Sequence, residues 1–277
     1  MAQATTEVRY GVFDPTGNVT ALVETAVDDE AMGVVAAAVM ARHPKVEQVG
    51  FCDAGGGGLP ALRMAGGEFC GNATMCAALL RAMSLGWGPG EHEVSVRVSG
   101  AEGPVRVRLD LADDQDASAS VLMPPAVSVS DAFLVHAGIA ATLPLVRMQG
   151  IAHLVVVPES PFARLLDNAA EAERAVREWC ELVGSDCLGL MFLGDKGDGL
   201  CMTPLVFVPG ADTLFWEGSC ASGTSAVGMV FARDARRAVE LELDQPGGTL
   251  RVSSVPFGGD TWLTGQVSRV GEYALSL

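Results

Sequence analysis

The chain has 277 residues, 49% of them hydrophobic and 19% charged, with a formal net charge of −16. That length allows one large domain or two ordinary ones, and the acidity argues against nucleic acid or an anionic membrane as partner. No apolar run reaches the ~18 residues of a membrane-spanning helix, and Met1-Ala2-Gln3-Ala4-Thr5-Thr6-Glu7, lacking a basic flank and an apolar core, reads as no signal peptide.

In chain order, residues 7–13 and 19–25 read as strands around the turn Asp14-Pro15-Thr16-Gly17-Asn18. Asp28-Asp29-Glu30 opens a helix over 29–42. A short strand at 46–52 leads into four glycines, 55–58, which lack the Gly-Lys-Ser/Thr of a phosphate loop and read as a flexible loop or a lid. A strand at 59–64 precedes a helix at 71–84; 93–98 and 104–111 form a hairpin, 113–120 a polar turn, and 121–123 a strand. Pro124-Pro125 is the domain joint. Beyond it the plan repeats: strand, turn and strand over 145–157, with Gly150-Ile151-Ala152-His153 as the turn. A helix over 161–182 follows, then a hairpin of 188–193 with 200–208, a helix at 221–233, and strands at 240–243, 250–254 and 262–270. This order predicts an α/β (α+β) chain of two pseudo-symmetric domains, 1–125 and 126–264, with 265–277 returning to the first. Each would be a mostly antiparallel sheet or barrel around a central helix that starts at a Cys, with a ligand in the cleft between them.

The helix starts carry the chemistry. Gly66-Gly67-Glu68-Phe69-Cys70-Gly71-Asn72-Ala73-Thr74 is echoed by Trp216-Glu217-Gly218-Ser219-Cys220-Ala221-Ser222-Gly223-Thr224, with Cys70 on Cys220 and Thr74 on Thr224. The first amides of a helix have no partner within it, and the macrodipole adds positive charge there. A Cys at that place is a candidate base, and the same amides can hold a carboxylate. Two such starts suit inversion at a carbon next to a carboxylate, one thiolate removing a proton and the other thiol supplying one to the opposite face.

The seven cysteines are odd in number and show no CxxC spacing, which predicts reduced thiols in the cytoplasm. Cys52, Cys76, Cys180, Cys187 and Cys201 read as small apolar core residues. The four histidines lack metal-ligand spacing, so no metal site is expected. The only lysines, Lys45 and Lys196, sit in no Schiff-base context, so no cofactor, pyridoxal phosphate included, is expected.

At Cys70-Gly71-Asn72 and Cys220-Ala221-Ser222-Gly223-Thr224, with Gly17-Asn18 early and a Gly-x-x-His in the second half, the chain resembles the diaminopimelate epimerase family of cofactor-independent racemases and epimerases. The resemblance implies that family's two-domain fold, Cys70 and Cys220 as the acid/base pair, and a substrate carboxylate on the amides of Gly71, Asn72, Ala73, Ala221, Ser222, Gly223 and Thr224, with Asn18 also in the site. The family's Glu-Arg-Gly segment is missing from 208–213, Ile151 replaces its usual Asn, and Ala221 replaces a Gly. The flanks Gly-Gly-Glu-Phe-Cys-Gly-Asn-Ala and Glu-Gly-Ser-Cys-Ala-Ser-Gly-Thr look more like the histidine racemase branch, which implies L- to D-histidine as the reaction; diaminopimelate or another diamino acid is the alternative. Glu68 and Glu217 would bind the substrate's ammonium or imidazole, or satisfy free helix amides. His153 would touch substrate or sit buried. The implied partner is a small amino acid, with a homodimer left open. Other classes are a small-acid double-bond isomerase and a non-catalytic amino-acid binder or redox sensor.

Overall fold

The computed structural model describes residues 7–53, 56, 58–197, 199–211 and 213–276. Positions 1–6, Gly55 and Gly57 of the glycine run, Asp198 of the 194–199 turn and Asp212 of the 208–213 stretch lie outside the described residues. The chain divides into two compact units, Met1–Leu122 with Thr264–Leu277, and Met123–Leu263.

The first run of elements is β1 (Glu7–Asp14), β2 (Thr20–Val23), α1 (Asp29–Arg42), β3 (Gln48–Asp53), β4 (Ala61–Met64), α2 (Gly71–Ser84), β5 (Gly90–Val98), β6 (Val105–Leu111) and β7 (Asp116–Leu122). Then come β8 (Ser128–His136), β9 (Ile139–Met148), β10 (Ile151–Val156), α3 (Ala169–Val183), β11 (Leu188–Asp195), β12 (Leu200–Val208), β13 (Thr213–Trp216), α4 (Ala221–Ala235), β14 (Val239–Gln245), β15 (Gly248–Ser254) and β16 (Thr261–Ser276). The fold is α+β and dominated by sheet.

In the first unit the strand order runs β1-β2-β3-β4-β5-β6-β7-β16, and β16 pairs back onto β1, so the sheet closes on itself. Closure leaves no open edge. Helix α2 packs against β2 through β7 and is buried at every residue from Gly71 to Leu80. A helix of small and apolar residues all round has no water-facing side and belongs in a core.

In the second unit the order is β15-β14-β12-β11-β10-β9-β8, with β13 on the side of β12. The two faces are covered differently. Ala152, Leu154 and Val156 of β10 join the core under α3, with Ala172, Val176 and Trp179. Val155 joins the core under α4, with Met191, Cys220, Ala226 and Val227. Period-2 alternation therefore puts His153 on the α4 side.

Several expectations need correction. His153 lies inside β10, not in a turn, because β10 pairs in parallel with β11 over Ala152–Val156. Residues 116–120 form most of β7: Ala117, Ala119 and Val121 alternate inward, a strand pattern muted by alanine. The helix expected over 161–182 is two pieces, a 3₁₀ helix at Ala163–Asp167 and α3, because Asn168 caps a fresh start by accepting from the Glu171 amide. The β8–β9 hairpin was not anticipated; its turn is Ala137-Gly138, both at positive φ. Among the described residues, no helix is long and apolar enough to cross a membrane.

Candidate functional site

In the first unit, Cys70 is the N-cap of α2, with φ −130° and ψ 112°. Its Sγ accepts from the Ala73 amide at 3.4 Å. Its carbonyl accepts twice, from the Thr74 amide at 3.0 Å and the Thr74 hydroxyl at 2.6 Å. That double anchor fixes the residue's backbone and so the direction of the thiol. Cys70 is half-buried.

The approach to Cys70 is braced from the turn that follows β5. The Ser99 hydroxyl donates to the Glu68 carbonyl at 2.9 Å and accepts from the Met64 amide at 3.0 Å. Gly100, at φ +73°, passes so close that a Cβ there would overlap the backbone of Glu68 and Phe69. Only glycine combines that φ with that approach. Gly100→Ala is expected to cost more than about 1 kcal/mol in urea unfolding; a change within error would show that the Cys70 turn does not depend on this contact. The Glu68 side chain folds back over Gly66.

Asn72 is buried in the first turn of α2. Asn18 is also buried, and its Nδ2 donates to Glu47 Oε2 at 2.7 Å. A carboxylate only accepts, so Glu47 decides which end of the Asn18 amide is the donor. Asp14 Oδ1 accepts from the Gly17 amide at 2.5 Å. Burial is the largest reason that the Cys76 thiol is held well above its ordinary pKa.

In the second unit, Cys220 is the N-cap of α4 in nearly the same conformation, φ −125° and ψ 108°. Its carbonyl takes the same pair of bonds, 2.9 Å from the Thr224 amide and 2.7 Å from the Thr224 hydroxyl. The surroundings differ. Cys220 is only 5% exposed. Burial pushes its thiol well above the ordinary range, and the nearby charge of Glu217 and a hydrogen bond to that carboxyl push the same way. The Gly223 amide and the Ser222 hydroxyl, 3.7 Å from Sγ, oppose the rise. Glu217 is thus buried beside the thiol.

Gln245 ties this turn down from β14. Its Oε1 accepts from the Cys220 amide at 2.9 Å, and its Nε2 donates to Thr224 Oγ1 at 2.9 Å. Met191 packs over Gly223, where a Cβ would overlap its Sδ and come within 3.2 Å of Cys220 Sγ. The methyl of Met191 also lies over Gly189 beside the His153 ring. His153, Gly189, Met191, Gly223 and Cys220 therefore form one continuous patch on the α4 side.

His153 is completely buried, and neither ring nitrogen has a hydrogen-bond partner among the described residues. Burial lowers its pKa to about 3, so the folded chain holds a neutral ring. In the unfolded chain the ring titrates near 6.5. Below that pH the unfolded state takes up a proton that the folded state refuses. Stability is expected to fall as pH drops from about 6.5 toward 3, by up to about 1.4 kcal/mol per pH unit. Urea unfolding at pH 7 and pH 5 checks this: His153→Gln should flatten the slope, and an unchanged slope would exclude His153 as its source.

The sequence singled out Glu68, Cys70, Gly71, Asn72 and Ala73, which lie along or just before the start of α2, and Asn18, which the first unit buries against Glu47. It also singled out His153, Glu217, Cys220, Ala221, Ser222, Gly223 and Thr224, which the second unit gathers at the start of α4. Glu47, Ser99, Met191 and Gln245 were missed. Gln245 carried a usable signal: a Gln before Pro246-Gly247-Gly248 that ends a strand and is buried.

Among the described residues, no group of His, Cys, Asp and Glu could hold a metal ion. Residues 7–268 match the family described as "Histidine racemase CntK N-terminal domain". The chain is 27% identical over 274 residues to a histidine racemase of Staphylococcus aureus, covering 95% of each protein. It is 29% identical over 246 residues to a histidine racemase of Fusobacterium nucleatum, covering 86% of each. Among solved structures, a probable proline racemase from Agrobacterium radiobacter with bound carbonate superposes with a TM-score of 0.70 at 14% identity, over 98% of this chain and 93% of that one. This last likeness establishes the fold alone.

Proposed function

Because the chain belongs to the family of the histidine racemase CntK N-terminal domain, matched over residues 7–268, we propose that it interconverts L- and D-histidine without a cofactor, using Cys70 and Cys220 as its acid and base. One thiolate takes the α-proton, and the other thiol returns a proton to the opposite face. The observation that supports this most is the repeated backbone placement of the two thiols. Each Cys caps a buried helix in the same backbone conformation, with its carbonyl locked by the hydroxyl of the Thr four residues on.

The substrate carboxylate would lie on the amides of Gly71, Asn72 and Ala73 and on those of Ala221, Ser222 and Gly223; the Thr224 amide, expected from the sequence to join them, is already spent on the Cys220 carbonyl. Helix amides stabilise the charge that spreads onto that carboxylate as the α-carbon becomes a carbanion. Asn18, oriented by Glu47, would contact the substrate, and Glu68 and Glu217 would meet its ammonium or imidazole. In this reading the domains are 1–125 and 126–264, with the C-terminal strand returning to the first. The enzyme would work in the cytoplasm, where its seven free cysteines stay reduced.

The test is a panel of single L-amino acids, histidine and diaminopimelate included, incubated with reduced protein without pyridoxal phosphate and resolved by chiral chromatography. D-histidine alone supports the reading. Turnover of diaminopimelate instead keeps the mechanism and replaces the substrate, and no D-product from any amino acid overturns the activity.

A further inference from the structure

A cavity lies in the second unit, on the α3 side of the sheet and so across it from the Cys220 patch. It has a volume of about 330 Å³ and is lined by His136, Ala137, Phe162, Arg164, Leu165, Asn168 and Glu171. That volume is at the small end of ligand pockets. Phe162 and Leu165 supply an apolar wall, both almost fully buried, and Trp179 stands behind it, stacked edge-on against Phe162 at 4.8 Å.

The polar groups of this cavity divide sharply. Its acceptors are engaged. The buried His136 ring bonds Glu171 Oε1 at 2.7 Å and Glu178 Oε2 at 2.8 Å. Glu171 also pairs with Arg174, and Asn168 Oδ1 caps α3 by accepting from the Glu171 amide. Its donors are not all engaged. Arg164 and Asn168 are exposed at its mouth, and among the described residues neither the Arg164 guanidinium nor Asn168 Nδ2 has a protein partner. Unengaged donors beside an apolar wall, with the carboxylates already occupied, select an anionic head and an apolar body. They offer little to an ammonium group.

We propose that this cavity binds a small organic monocarboxylate, its carboxylate on Arg164 and Asn168 Nδ2 and its apolar or aromatic body against Phe162 and Leu165. Arginine suits the head because its fork of donors matches both carboxylate oxygens. The site is independent of the two thiols and does not rest on the racemase reading.

Isothermal titration calorimetry of the full chain with phenylacetate tests it, with phenethylamine and inorganic phosphate as comparison probes. Phenylacetate should bind with a Kd below about 1 mM, and neither comparison probe should match it. Arg164→Gln, an exposed change, should weaken phenylacetate by about tenfold or more and leave histidine racemisation at the wild-type rate. Asn168→Ser, which keeps the helix cap and removes the amide donor, should weaken it less. Equal binding by phenethylamine would overturn the carboxylate head. Equal binding by phosphate would overturn the apolar body. Unchanged binding in Arg164→Gln would place the ligand elsewhere, and absence of heat with phenylacetate would remove the proposal.

Discussion

Cys70→Ala and Cys220→Ala are each expected to lower histidine racemisation by about 10²–10⁴-fold, the range a positioned acid or base contributes. The two variants should not fail alike. Each keeps one thiol, so each should still take the α-proton from one enantiomer and exchange it with solvent, while neither inverts the centre at a useful rate. Proton NMR in D2O separates exchange from inversion, with each enantiomer supplied in turn. If one variant racemises at the wild-type rate, that Cys is a core residue. The environments of the two thiols also differ. Cys70 is half-buried. Cys220 is buried, and burial together with the Glu217 carboxyl favours its thiol. Iodoacetamide should therefore label Cys220 only above the pH range of an ordinary thiol. Glu217→Gln should lower the pH at which Cys220 is labelled, since it removes a charge that opposes thiolate, while burial, the larger cause, still holds the thiol up.

Gly223→Ala carries the second large effect. The new methyl would overlap Met191 Sδ and press on Cys220 Sγ. Met191 is fully buried, and its own methyl already lies over Gly189 beside His153, so it has little room to retreat. Overpacking of this kind costs about 1–3 kcal/mol. The activity loss should be larger. The Gly223 amide is one of the groups that favour the Cys220 thiolate, and displacing one preorganised amide costs about 10²–10³-fold. Urea unfolding and kcat should be measured together. Met191→Ala in the Gly223→Ala background should restore part of the stability; wild-type kcat in Gly223→Ala would show that this turn is not catalytic.

The helix starts were the most legible part of the chain. A helix expected at 71–84 is Gly71–Ser84, and one expected at 221–233 is Ala221–Ala235. Small residues after each Cys and the apolar run behind them are local signals, and a buried helix needs little else. The broken helix at Asn168 was equally local: Asn168-Ala169-Ala170-Glu171 has capping-box spacing that went unread under the longer amphipathic pattern. His153 was misplaced for another reason. Its strand exists because of parallel pairing with Leu188–Phe192, a partner that no local pattern reveals.

The braces of the site were hidden in the same way. Ser99 holds Glu68 from 31 residues away, and Gln245 holds Cys220 from 25. Chemistry-bearing side chains announce themselves by type and by repetition; the residues that aim them come from strands and turns whose proximity is a product of the fold.

The most direct test of the central claim is the isotope content of the first product. L-histidine is incubated with the reduced protein in D2O and sampled while conversion is small. Two thiols acting from opposite faces predict D-histidine with deuterium at the α-carbon and recovered L-histidine still carrying protium there, because the proton taken and the proton given come from different sulfurs. D-histidine that keeps the original protium would mean that one group carries the proton across, and would contradict the two-thiol account.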